Sequence, residues 1–157
     1  MIRARIQYRG GPREVAKEFT AIRKRELALV AQRWHREILP HHFTTTAMAR
    51  YGYQPRDKWY SIRKAKKKGH TRPLEWSGAL KGMVTRMARI SGTGKSARAS
   101  LTGPRYLYAY RKAEGQPDKA AELTATTLQE AQSLGRQFRH RVARQLNAVQ
   151  TTSKHGS

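Results

Sequence analysis

The chain has 157 residues, of which 33 are Lys or Arg and 10 are Asp or Glu, for a formal charge of +23, and it contains no cysteine. That length suits one domain around one core, and the absence of thiols excludes a disulfide framework and a thiolate zinc site, as expected in a reducing compartment. A charge excess of this size repels itself and seeks polyanions or acidic protein surfaces, and no apolar run approaches the roughly 18 residues that a membrane helix needs.

In chain order, Ile2, Ala4, Ile6 and Tyr8 alternate with Arg3, Arg5, Gln7 and Arg9, which predicts a half-buried first strand and lacks the apolar stretch of a signal peptide. Gly10 and Gly11 break it, and Pro12 suits the first turn of a helix, where a missing N–H costs nothing. Val15, Phe19, Ile22, Leu29, Val30, Trp34 and Ile38 then recur at near-helical spacing, so a long amphipathic helix is expected up to about Leu39, ended by Pro40. Residues 40–75 carry Gly52, Pro55, Gly69 and Pro73 and read as a mobile basic excursion with one short turn near Trp59, Tyr60 and Ile62. Val84–Ser91 and Ser96–Leu101 alternate about Gly92–Lys95, which predicts a hairpin of strands two and three. A tyrosine-rich second excursion follows over 103–119. Ala121, Leu123 and Ala125 share one face of an expected fourth strand. Thr127 and Glu130 have capping-box spacing, and Leu128, Ala131, Leu134, Phe138, Val142 and Leu146 form the apolar stripe of a second long helix.

The expected architecture is α+β: an antiparallel sheet of about four strands packed against two long amphipathic helices, with long loop excursions. It forms a single domain over residues 1–149, with the basic excursion at about 40–75 and a flexible tail at 150–157.

Few residues offer chemistry. Ser91–Ala97 resembles a phosphate-binding loop, but Arg89 stands where its first glycine belongs and a strand pattern follows, so a hairpin turn is the better reading. The acidic residues lack the spacing of a metal-dependent nuclease and serve local charge balance or, at Glu130, helix capping. His35, His41 and His42 have no partners placed to complete a zinc site, and His41 and His42 suit a solvated helix end beside Pro40. No nucleophile-elbow sequence occurs. No enzyme activity, cofactor or metal is therefore expected.

The unusual feature is the basic run of Arg63, Lys64, Lys66, Lys67, Lys68 and Arg72, with Tyr51, Tyr53, Trp59 and Tyr60 just before it. Such a run is commonly just a solvated charged surface, but aromatics beside Lys and Arg stack on bases or pack in protein interfaces, which makes the six basic residues candidate contacts for DNA or for a partner. Phosphate contacts of this kind carry no sequence information.

The ordered set from Tyr51 to Val84, "YGYQPRDKWYSIRKAKKKGHTRPLEWSGALKGMV", followed by a basic hairpin, "PRYLYAY" and "AELTATT" before a last helix, resembles the neck and tail-completion (head–tail joining) proteins of tailed double-stranded DNA bacteriophages. The block Arg72–Gly82 is its most specific part, and the similarity of pattern runs from about Ile2 to Leu146. The resemblance implies a structural virion protein rather than an enzyme. It would be made in the host cytoplasm and form a homo-oligomeric ring between head and tail, beside other neck proteins, a portal-side adaptor, tail proteins and the packaged genome. Within the block, Leu74, Trp76 and Leu80 are the expected anchors, with Trp59 and Tyr60, packing on the long helices or a neighbouring subunit, and Gly78 and Gly82 are expected to allow close backbone approach. The alternative from charge alone is a cellular, nonspecific nucleic-acid-binding module.

Overall fold

A computed structural model describes residues 11–86, 88–104, 107 and 117–152, with side chains through residue 148. The strand expected at residues 2–9 and most of the second excursion lie outside the described residues.

Helix α1 (Pro12–Arg33) starts on Pro12, with the Gly11 carbonyl accepting from the amides of Glu14 and Val15. Pro40 does not end the helical path. Lacking an N–H and crowding the preceding turn, it instead coincides with a change of winding. The chain widens to a π-helical turn at Trp34–Ile38 and tightens to a 3-10 helix at Leu39–Phe43. Three short helices follow: α2 (Ala47–Tyr51), α3 (Lys58–Lys68) and α4 (Ala79–Arg86). Strands β1 (Ala88–Gly92) and β2 (Ala97–Leu101) form an antiparallel hairpin with Ala88 opposite Leu101 and Gly92 opposite Ala97. Its turn is closed by the Thr93 amide donating to the Ser96 carbonyl at 2.7 Å. Helices α5 (Lys119–Thr124) and α6 (Leu128–Thr152) complete the chain, and α6 runs into the first residues of the expected tail.

The expectation of a four-stranded sheet is thus corrected. The described residues are mostly helical, with six α-helices and a sheet of two strands. The expected fourth strand is α5, because Asp118 caps it by accepting from the amides of Ala120 and Ala121, and alanines favour the helix once it is capped. Its alternation misleads, since Leu123 is buried while Ala121 is exposed. The first residues of the expected second strand belong to α4. Much of the expected mobile excursion is helical as well, in the 3-10 helix, α2 and α3.

The elements form two packed sets. In the first, which we call the hub, Leu39, Phe43, Leu80, Val84 and Leu123 make a buried cluster, with Trp34, Leu74, Leu101 and Leu107 against it. The 3-10 helix is the common contact of α2, α4 and α5. In the second set, the arm, α1 touches α6 and both strands. The inward positions of β1 and β2 are half-buried, and a Cβ on Gly92 would meet the Lys24 carbonyl oxygen at 2.8 Å, so only glycine lets the hairpin approach α1 this closely.

Candidate functional site

The basic run is a helix. Asp57 opens α3 by accepting from the Tyr60 amide at 3.0 Å, Lys and Arg are good helix formers, and Lys66, Lys67 and Lys68 stand in the last turn, where the helix dipole favours cations. Among the residues singled out from sequence, Arg63, Lys66, Lys67 and Lys68 are exposed. Trp59 is 77% exposed, beside Ile62 on the same outer face. Tyr60 and Lys64 turn inward and meet the block that follows, whereas Tyr51 and Tyr53 pack in the hub with His42.

Trp76 is the meeting point. Its ring lies 5.7 Å from the Tyr60 ring, and the Arg63 guanidinium and the Lys68 ammonium each sit 5.7 Å from its centroid. Cation–π attraction and ring packing therefore tie α3 to residues 72–76. The indole is still 37% exposed, so it braces a surface rather than filling a core. Leu80 is the block's core residue, while Leu74 is half-buried with φ +57°, a left-handed conformation that side chains rarely adopt. Close backbone approach at Gly78 and Gly82 does not occur, since a Cβ at either position would meet nothing within 4 Å. Gly78 is needed for its φ of +79° at the entry to α4.

Lys64 departs most from its expected outward role. It is only 3% exposed, donates from Nζ to the Arg72 carbonyl and lies 5.8 Å from the Tyr60 ring. Burial, then the nearby Arg56 charge, pushes its ammonium below the ordinary lysine range, with Arg72 and Lys119 adding to this and Glu75 opposing it. The Arg72 guanidinium is tied to Glu75 at 3.2 Å. Beside Lys64, α3, Met48 of α2, Thr71 and residues 73–77 enclose an open cavity of about 370 Å³, with Arg56, Leu80 and Lys119 also at its wall.

A second cluster lies in the hub and was not foreseen. His42, expected at a solvated helix end, is fully buried, stacked on Tyr51 at 3.9 Å between centroids and hydrogen-bonded through Nδ1 to the Tyr53 hydroxyl. Its Nε2 looks toward the Glu122 carbonyl without making a well-formed hydrogen bond. Burial pushes both tyrosine hydroxyls up, so Tyr53 stays protonated and donates to Nδ1, which requires a neutral imidazole. Burial lowers His42 to about 4 in agreement. Glu130 accepts from Arg50 Nη2 at 2.6 Å, from the Tyr51 hydroxyl at 2.9 Å and from the Thr127 amide at 2.9 Å. Although burial opposes ionisation, these bonds hold its carboxyl below the usual range. The Thr127 hydroxyl accepts from the Glu130 amide in return, which completes the capping box expected from sequence. Arg56 pairs with Glu122 through both terminal guanidinium nitrogens, Nη1 and Nη2. His35 is also buried, donating from Nε2 to the Val84 carbonyl at 2.8 Å.

This second cluster is closed: its carboxylates are held by arginines and its imidazole is neutral, so it clamps α2, α5 and the start of α6 together. Among the described residues, no group of three or more His, Asp or Glu is arranged to hold a metal ion, and no helix is long and apolar enough to cross a membrane. No family model, curated protein or solved structure matches the chain.

Proposed function

We propose that this chain is a structural virion protein of a tailed double-stranded DNA bacteriophage, a ring subunit of the head–tail neck that acts in tail completion or head–tail joining. The observation that carries this reading is the coupling of α3 to the Arg72–Gly82 block on which the resemblance rests. Trp76 holds Arg63 and Lys68 against a braced surface, so the cationic ridge meets a partner without first being ordered. The distribution of charge supports the same reading. Glu26, Glu37, Glu75, Glu122 and Glu130 are held in ion pairs within the chain, and Asp57 and Asp118 in helix caps. Among the described residues the exposed Lys and Arg outnumber the exposed Asp and Glu, which suits packaged DNA or the acidic faces of adjoining rings. The half-covered apolar side chains of the arm suit contact with neighbouring copies.

The test is genetic and compositional. A phage carrying a nonsense mutation in this gene should yield DNA-filled heads and free tails that fail to join, and purified wild-type particles should contain the protein by mass spectrometry. Normal infectious particles without the protein would overturn the assignment. The exposure of Trp59 beside Lys58 and Arg63 favours one second reading, a nonspecific nucleic-acid-binding module, because a bare indole among cations stacks on bases. That reading expects tight single-strand binding abolished by Trp59→Ala, and particle assembly unaffected by it.

A further inference from the structure

The cavity beside Lys64 has a chemistry different from that of the outward lysines. We propose that it is a docking pocket for an acidic peptide segment of a partner protein. A carboxylate of that segment meets Lys64, and an adjacent apolar side chain fills the space against Met48, Leu74 and Trp76. The inference concerns the purified chain and stands apart from the virion reading.

Three observations carry it. An ammonium has three donors, and the one hydrogen bond Lys64 makes among the described residues goes to the Arg72 carbonyl. A buried ammonium with donors left over is stabilised by an anion. Next, the cavity is cationic on balance: Arg56, Arg63, Lys64 and Lys119 line it against the carboxylate of Glu75, which is paired with Arg72 and acts on Lys64 as well, while Arg56 pairs with Glu122. Finally, its volume of about 370 Å³ is in the range of ligand sites, which run from roughly 300 to 1,000 Å³, and its lining includes the apolar residues Met48, Leu74, Trp76 and Leu80.

The same observations select among occupants. A duplex presents its phosphates along a convex surface and cannot bring them into a recess. Trp76 already carries Arg63, Lys68 and Tyr60, so a base entering here would have to displace one of them. A second copy is disfavoured by charge, since most of this chain's carboxylates are held internally. An acidic segment of another protein satisfies both the ammonium and the apolar wall.

The experiment is fluorescence anisotropy at physiological salt with three labelled probes: a glutamate-rich peptide with interspersed Phe and Leu, the same peptide with Ala in their place, and an oligothymidylate. The wild-type chain should bind the first peptide about tenfold or more tighter than the second, the scale of burying one or two large apolar side chains. Lys64→Met should weaken the first peptide by about tenfold or more, the scale of a charge-assisted hydrogen bond. Ser61→Trp, which fills the cavity, should erase the difference between the two peptides. Neither change should alter oligothymidylate affinity, which depends on the exposed Lys66, Lys67 and Lys68. Should Lys64→Met fail to fold by circular dichroism, Ser61→Trp decides. Equal affinity for the two peptides, or a preference that survives Ser61→Trp, would overturn the proposal. So would oligothymidylate displacing the peptide from the wild-type chain but not from the variants, or a dimer lost on Ser61→Trp, because nucleic acid or a second copy would then be the occupant.

Discussion

The hub and the arm use their apolar residues in opposite ways. In the hub, Leu39 and Val84 are fully buried and Phe43 and Leu123 nearly so, although no helix there exceeds 11 residues. In the arm, the 22 residues of α1 bury Ile22 and Glu26 alone, and along α6 the described apolar side chains stay half-buried or exposed, with Leu128 74% exposed. Glu26 itself is held by Arg25 and by Arg141 of α6, so an ion pair stands at the centre of the contact between the long helices. The difference shows that helix length and stripe quality do not measure packing. Stabilisation follows the area removed from water, and short elements surrounding the 3-10 helix remove more of it per residue than two long helices meeting a narrow hairpin.

The sharpest way to break this comparison is to delete the same side chain in each region. Phe43→Ala should cost about 4 kcal/mol, as for a filled core aromatic, whereas Phe138→Ala on half-buried α6 should cost about 1 kcal/mol. Urea unfolding of the two variants checks this, and equal losses would remove the distinction.

Charge pairs sharpen it further. Glu130→Ala leaves Arg50, the Tyr51 hydroxyl and the Thr127 amide without their acceptor and should cost about 3 kcal/mol. Glu37→Ala removes only an exposed partner of Arg33 one helical turn away and should cost no more than about 0.5 kcal/mol. Thermal melts in matched buffer compare them.

The next effect is acid sensitivity confined to the hub. His42 titrates near 4 in the fold and near 6.5 in the unfolded chain, so between those values the unfolded chain binds the extra proton. Stability from this group is therefore complete above about pH 6.5 and lost as pH falls toward 4, with about 2 kcal/mol gone by pH 5. Glu130, held below its usual range, acts in the same direction at lower pH. His42→Gln should flatten the stability profile between pH 7 and 5, and an unchanged slope in that variant would contradict the neutral, Tyr53-bonded imidazole.

The smallest effect on stability is expected from the outward face of α3. Replacing Lys66 and Lys67 together by Gln should leave the melting temperature nearly unchanged, because neither is buried, neither lies over Trp76 and Gln keeps the helix propensity. If they meet phosphates, each should lower the dependence of log DNA affinity on log salt by about 0.9. Including Lys64 in the substitution would confound the result, since it lies inside.

The sequence makes plain those features whose signals are local. The Thr127 and Glu130 cap, the hairpin about Gly92–Lys95 and most of both long helices follow from residues within a few positions of one another. Asp57 and Asp118 are equally local N-cap signals, and weighing them would have found α3 and α5 in place of a loop and a strand. The burial of His42 was not legible, because the Arg50 to Glu130 bond beside it joins residues 80 positions apart. The candidate site was half legible. Tyr60, Trp76 and the basic run were visible as types, and the four-residue step from Tyr60 to Lys64 places both on one helix face. That this face turns toward residues 72–76 depends on the fold.

Native-state hydrogen exchange on the isolated protein tests the central claim most directly, because it reads the opening free energy of each segment separately. The slowest amides are expected in the hub, at residues 39–43 and 82–86, with residues 15–25 and 138–148 exchanging through lower-energy openings. Slowest exchange along α1 and α6, with the hub opening first, would contradict it.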